Sequence, residues 1–576
     1  MNKYFRLLYV GLAFSVSLMS CQDFLDAETS DILTKDEMYT TTSDVESVIK
    51  GIYGELMELS EQYVVLNELR GDLMTVTSNS NQDLIDLNEH NVSSGNVYAD
   101  PRPFYKVIND CNDLIKNLNI MLDDNGITKD NYNIYYSEAV SVRSWLYLQL
   151  GIQFGSVPYI TEPIETVDDL KTLQNYQKVP LTSLISQLIV DMETVPVIDT
   201  YSDKELISDD DKVFFINKYC LLGDLYLWDN QYNNAAKAYK SLMMLSGTSE
   251  YNKYRLVWGD VVNHDDLVVG YTRYLADDVE SLIDDPGKGW ESIFTRTDGT
   301  IFLDEWIWAM YFDADYSVTN PFIKLFANTG KGEYLVAPSQ YAMDNWDSQI
   351  QLNNITWDAR GKYTWEEMNG SPVITKYIKN YDPATPYDRD GFWYLYRAAL
   401  LHLRFCEAAN RDNESRLAYA LLNFGVQSEY TDPDALDITY LERTNKPWPY
   451  DFDARMDATG QIPVGVRGIW HRNAGVRGGR GNLQSTVYPA DTAAFSQPLE
   501  DAIFEEASLA LAYEGNRWAD LVRISMRRGQ TDGDNGASYY LAQKIADEFE
   551  KEGLDGISIK AKLNDQNNWW LPWPTE

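Results

Sequence analysis

The sequence predicts a mainly α-helical scaffold of four irregular helix pairs, interrupted by a large loop-rich insertion that carries short strands. Three observations predict it. Residues 217–243 space small and aromatic side chains as two tightly packed antiparallel helices require. Three further segments repeat the helical period of apolar residues, and the stretch from about 247 to 392 drops that period for Gly, Asp, Asn and aromatics.

The chain begins with Lys3 and Arg6, no acid, and an apolar run from Leu7 to Met19, the layout of a secretory signal over residues 1–20. The run is shorter than the roughly 20 apolar residues of a membrane span. Leu18, Met19, Ser20 and Cys21 match the lipobox of bacterial lipoproteins, so Cys21 is expected to be the lipidated first residue of a body spanning 21–576.

The first helix pair is expected near 104–151. Tyr105, Ile108, Ile115 and Leu118 fall near one face, and Ala139, Arg143, Leu146 and Leu150 are offered for packing against it. The second, near 214–245, has the clearest signature. Tyr219, Leu222, Gly223 and Tyr226, then Ala235 and Tyr239, fit the tetratricopeptide pattern W-x2-L-G-x2-Y followed by A-x3-F, with tyrosine in place of Trp and Phe. Gly223 and Ala235 are small enough to let the helices approach, and Asp229 to Asn234 supply the turn. A third pair is expected near 394–425 and a fourth near 502–550, the latter reading as one helix over 502–525 followed by SYYLAQKIADEFEKEG.

The insertion near 247–392 contains EWIWAMYF, whose alternation is apolar on both sides and predicts a strand buried on both faces. A second irregular region near 426–500 carries proline-marked turns and the glycine-rich HRNAGVRGGRGN. Irregular insertions on a rigid scaffold are where binding surfaces form.

The formal charge of -40 excludes a nucleic-acid binder. Cys111, Cys220 and Cys406 sit in apolar helical patterns and read as buried thiols, and His90, His264, His402 and His471 are too scattered in sequence for a metal motif. SDDDK at 208–212 lacks the spaced ligands and glycine of a calcium loop. No nucleotide loop, zinc-protease or serine-hydrolase motif is present, so no catalytic residue, metal or cofactor is assigned. Among 88 acidic residues a pair of hydrolytic carboxylates stays open.

Aromatic residues are abundant, with 16 Trp, 40 Tyr and 19 Phe, and their flat apolar faces with polar tips suit hydroxylated ligands. Those in insertions and turns are the candidate ligand contacts: Tyr98, Trp357, Tyr363, Trp365, Tyr387 and Trp393, with Asp72 as a polar partner. From Ala458 to Ala490 there is no acid, and Arg472 and Arg477 are candidate anion-binding residues. The alternative is that these arginines pair with the protein's own acids and pin the glycine-rich loop.

With these residues in hand, the chain resembles the SusD/RagB family of nutrient-binding outer-membrane lipoproteins. The carrying features, in order, are SCQDFLD, FYKVINDCNDLI, EAVSVRSWLYLQLGIQFGSVPYI, YRAALLHLRFCEAAN, FEEASLALAYEGNRWADLVR with its E-G-x-R-W-x-D-L core, and LPWPTE. Tyr98 stands where relatives often carry Trp. The resemblance implies a tetratricopeptide-like base and a non-enzymatic loop face that captures oligosaccharide or oligopeptide outside the cell. It also implies an outer-membrane lipid anchor and a SusC-like TonB-dependent transporter as partner. A tetratricopeptide adaptor that binds only proteins, and a surface hydrolase, are the rival readings.

Overall fold

The computed structural model describes residues 38–574, apart from 170–175, 196–211, 245–253, 255, 257–289, 291, 296–304, 313–318, 353, 386–390, 432–440, 456–467, 472 and 532–538. Cys21, Tyr387 and Arg472 lie outside the described residues.

Helix α1 (Thr42–Glu58) opens with Thr41 and Asp44 satisfying each other's backbone N–H groups in a capping box. The first pair follows as α2 (Arg102–Asp123) and α3 (Lys129–Phe154). Thr128 caps α3, and Gly155 ends it at φ +69, where a Cβ would meet the Trp570 ring at 2.5 Å. From Ser137 onward every side chain of α3 is buried, which is why its sequence shows little amphipathic contrast. Strands β1 (Met74–Val76) and β2 (Ser156–Pro158) flank this pair, and β2 runs antiparallel to β3 (Lys178–Pro180) before α4 (Leu181–Thr194).

The second pair is α5 (Lys218–Trp228) and α6 (Tyr232–Met243). Gly223 meets Tyr239 so closely that a Cβ there would lie 2.2 Å from the ring, and Ala235 is fully buried. Small residues at the crossing with aromatics beside them are what the spacing predicted.

Between the second and third pairs, β4 (Trp306–Tyr311) runs antiparallel to β8 (Phe392–Arg397). Trp306 to Met310 are buried, as the two-sided apolar pattern predicted, and Tyr311 alone is exposed. Strand β5 (Val336–Pro338) pairs with β1, tying the insertion to the first third of the chain. Helices α7 (Gln340–Ser348) and α8 (Ala359–Thr364) lead into the hairpin of β6 (Trp365–Met368) and β7 (Ser371–Ile374).

The third pair is α9 (Ala398–Arg411) and α10 (Ser415–Leu422). The fourth corrects the sequence expectation. The helix read across 502–525 is two, α11 (Gln497–Ala510) and α12 (Arg517–Thr531), with α13 (Tyr540–Lys551) and α14 (Gly556–Leu563) beyond. Tyr513 and Gly515 take positive φ at the break, and the buried Glu68 carboxylate accepts the freed N–H groups of Tyr513, Gly515 and Asn516 at 3.1, 2.6 and 3.0 Å. A cap supplied from 445 residues away in sequence has no local signature.

Helices α9, α11 and α12 are joined by buried ion pairs. Glu407 accepts from Arg523 and Arg527, and Glu500 from Arg411, Arg527 and Arg528. Burial alone would raise the Glu407 carboxyl, but Arg523 and Arg527 hold it well below the usual range. Cys111, Cys220 and Cys406 are free, buried thiols. No helix among the described residues is long and apolar enough to cross a membrane.

Candidate functional site

The structure sorts the candidate ligand contacts by burial. Asp72 is fully buried, and both its oxygens accept from the Arg517 guanidinium, at 2.5 and 2.6 Å. Trp393 lies on β8 opposite Met310 and is fully buried against Tyr63 and Trp145. Tyr98 turns its ring inward and donates its hydroxyl to Glu61 at 2.8 Å, and Tyr363 is buried at the end of α8. These four are corrected to structural roles. Long-range packing closes over each of them.

Trp357 and Trp365 keep part of their surface. They bracket α8, and Trp365 begins the β6–β7 hairpin opposite Ile374. The runs 349–352 and 354–357 pair with each other as a finger that ends at Trp357. It is held by an Ile350–Thr356 bridge and packs edge-on against the segment after the glycine-rich turn through a Gln351–Leu483 bridge. Gln484 donates its backbone N–H to Ile350 and its side-chain amide to Asn354 at 3.0 Å, while Gln351 donates to the Trp357 carbonyl at 3.1 Å. Ile350, Leu352 and Ile355 are exposed along the finger. The two irregular regions of the sequence thus meet at the Gln351–Leu483 bridge, beside exposed aliphatics and the part-exposed Trp357.

Arg477 lies at the base of this face. Its guanidinium donates to the Gln484 carbonyl (2.8 Å), the Gln349 side chain (2.9 Å) and Glu506 (3.3 Å). The fork is filled by the protein, so Arg477 is corrected from anion binder to the pin of the glycine-rich loop. That loop needs its glycines for close approach. Gly478 and Gly479 both donate to the Asn423 carbonyl at 3.0 Å, and a Cβ on Gly475 would sit 2.1 Å from the same oxygen.

The E-G-x-R-W-x-D-L segment is a structural knot as well. Glu514 accepts from Arg397 and Lys376, Arg517 holds Asp72, and Trp518 is buried with the Arg70 guanidinium 4.0 Å above its ring. Asp520 accepts from Arg404 and Arg523. Among the described residues no three His, Cys, Asp or Glu side chains are grouped to hold a metal ion.

The finger's amides and aliphatics were not singled out from the sequence. QIQLNNITWD carries no motif of its own, and its bridge to Leu483 joins it to a segment more than a hundred residues away.

Residues 23–196 match a family model described as starch-binding associating with outer membrane. SusD-like protein P2 of Formosa agariphila is 25% identical over 200 residues, covering 34% of this chain and 37% of that relative. Two solved structures share the fold. A SusD superfamily protein from Bacteroides vulgatus has TM-score 0.59 and 13% identity over 93% of this chain and 96% of its own. Surface glycan-binding protein A from Bacteroides uniformis has TM-score 0.54 and 16% identity over 93% and 95%.

Proposed function

The chain belongs to the SusD-like family, whose model matches residues 23–196, and from that premise we propose a non-enzymatic surface protein that captures oligosaccharide. The observation that carries the reading is the finger face. Trp357 and Trp365 keep flat apolar surface, and the exposed Asn354, whose Oδ1 accepts from Gln484, keeps its Nδ2 to donate; hydroxylated rings need both kinds of contact. The names of the relatives, starch-binding and surface glycan-binding, support a glycan over other cargo.

In this proposal lipid on Cys21 tethers the body to the outer membrane, and a SusC-like TonB-dependent transporter receives the cargo. A few aromatic and amide contacts give about -4 to -8 kcal/mol, millimolar to micromolar capture, which allows release. The test is calorimetric titration of the body beyond Cys21 against separate oligosaccharide and oligopeptide pools. Heat from oligosaccharides alone supports the reading. Heat from peptides alone replaces the cargo with oligopeptide, and turnover of either pool replaces binding with hydrolysis.

A further inference from the structure

A second concave site lies away from the finger, between α5 of the second helix pair and α12 of the fourth. It is a cavity of about 40 Å³, with room for about three water-sized groups at roughly 10–15 Å³ each. Of the residues that line it, only Asp224, Trp228 and Ala519 retain appreciable solvent exposure, and they form its mouth.

Inside, the walls are aromatic and the polar groups are left with unused capacity. Trp145 meets Trp308 edge to face at 5.1 Å. Gln149 is 7% exposed, and its side-chain amide has no hydrogen-bond partner among the described residues. Arg404 spends its Nη1 on Asp520, but its buried Nε has no hydrogen-bond partner and lies 3.7 Å from Asp224 Oδ1, too far for a direct bond. Tyr239 and Tyr396 both donate to Asp224 Oδ1, which leaves Oδ2 to accept. Asn516 uses its Nδ2 on the Glu514 carbonyl and keeps Oδ1 as an acceptor.

Unspent buried polar groups are costly unless something satisfies them. An anion would meet the Asp224 carboxylate, and a cation the Arg404 and Arg523 guanidiniums. A hydroxyl both donates and accepts, so one seated between Asp224 and Gln149 can donate to the carboxylate and accept from the amide NH2. Aromatic walls complement the C–H surface that accompanies such hydroxyls.

We infer that this chamber is a second binding site, for the hydroxymethyl end of a sugar or of a small neutral polyol. It shares the ligand class of the proposed function and none of its surface, so either can fail alone.

The test titrates the body beyond Cys21 with glucose, glycerol and sodium acetate, read by saturation-transfer NMR. Ala519→Phe blocks the mouth, and Gln149→Leu removes the unpartnered amide without breaking a bond inside the protein. Trp357→Ala leaves the chamber intact. Binding of glucose or glycerol that both chamber variants weaken by at least about tenfold, and that Trp357→Ala leaves unchanged, is the expected result; which of the two binds separates a sugar end from a free polyol. No binding of either by the wild-type chain at tens of millimolar overturns the inference, as does binding that Ala519→Phe leaves intact. Acetate binding in place of glucose and glycerol overturns the assignment to a neutral ligand.

Discussion

Arg517 grips Asp72 through two charge-assisted hydrogen bonds of 2.5 and 2.6 Å, in a place from which both side chains are almost wholly shut off from water. The pair joins the start of α12 to the segment before β1, residues 445 apart. Arg517 also donates to the Phe504 carbonyl, and its neighbour Trp518 carries the stacked Arg70. The E-G-x-R-W-x-D-L motif therefore fastens the fourth helix pair to the first part of the chain, and its constraint is architectural.

Removing one partner leaves a buried, uncompensated charge. Asp72→Ala is expected to lower the unfolding free energy by about 3–5 kcal/mol, measured by urea denaturation at pH 7. At a temperature where the variant is still folded, oligosaccharide affinity should equal that of the parent. A folded variant that lost binding would return Asp72 to the ligand site.

At the second pair, Gly223 allows the Tyr239 ring to lie against the α5 backbone, with the tyrosine hydroxyl donating to Asp224 at 2.6 Å. Gly223→Ala gains about 1 kcal/mol of helix propensity, but its Cβ would meet the ring at 2.2 Å. The net effect is expected to be a loss of about 1–3 kcal/mol. In a Tyr239→Leu background the same change should be neutral or stabilising, a coupling that a double-mutant cycle by denaturation would measure. Additive effects would mean the helices separate without cost.

The helix pairs were legible because their signals are local. Gly223, Ala235 and the tyrosines lie in one short stretch of chain, from Tyr219 to Tyr239, and a period of 3.6 survives loop variation. The two-sided apolar strand at Trp306 to Met310 was legible for the same reason. What the sequence hid is long-range. Trp393 looks like an insertion aromatic until β8 is paired with β4, and the helix at 502–525 looks continuous until Glu68 reaches in to cap its break. The candidate face shows the same limit. Trp357 and Trp365 follow from composition, whereas the finger beside them exists only once Gln351 meets Leu483.

Glu548 on α13 is buried with one carboxyl oxygen unbonded, and burial, with Glu552 and Asp72 nearby, pushes it up to about 9. An acid raised above its unfolded value near 4.5 favours the protonated fold. Its contribution is complete below that value and is lost as pH climbs through about 9. The slope in this window is at most about 1.4 kcal/mol per pH unit. Glu548→Gln mimics the neutral acid, so it should match wild-type stability near pH 4.5 and exceed it increasingly towards pH 9, read from urea midpoints across that range. Parallel curves would mean that Glu548 ionises freely in the fold.

The finger face and the arginine beneath it make opposite predictions. Trp357→Ala and Trp365→Ala remove stacking surface and should each weaken oligosaccharide binding about tenfold, and, because both rings also pack against the core, each should cost some stability. Arg477→Ala removes a guanidinium already committed to Gln484, Gln349 and Glu506, so it should loosen the glycine-rich turn and lower stability. It should not make the affinity depend on salt in any new way. The distinction is physical: a guanidinium that met a ligand carboxylate would lose strength as salt screens the pair, whereas one that holds a loop acts through the geometry of the finger. Titrations of the three variants at low and high salt, with unfolding measured alongside, separate the cases. Salt-sensitive binding in the parent chain that disappears in Arg477→Ala would put the arginine back at the ligand.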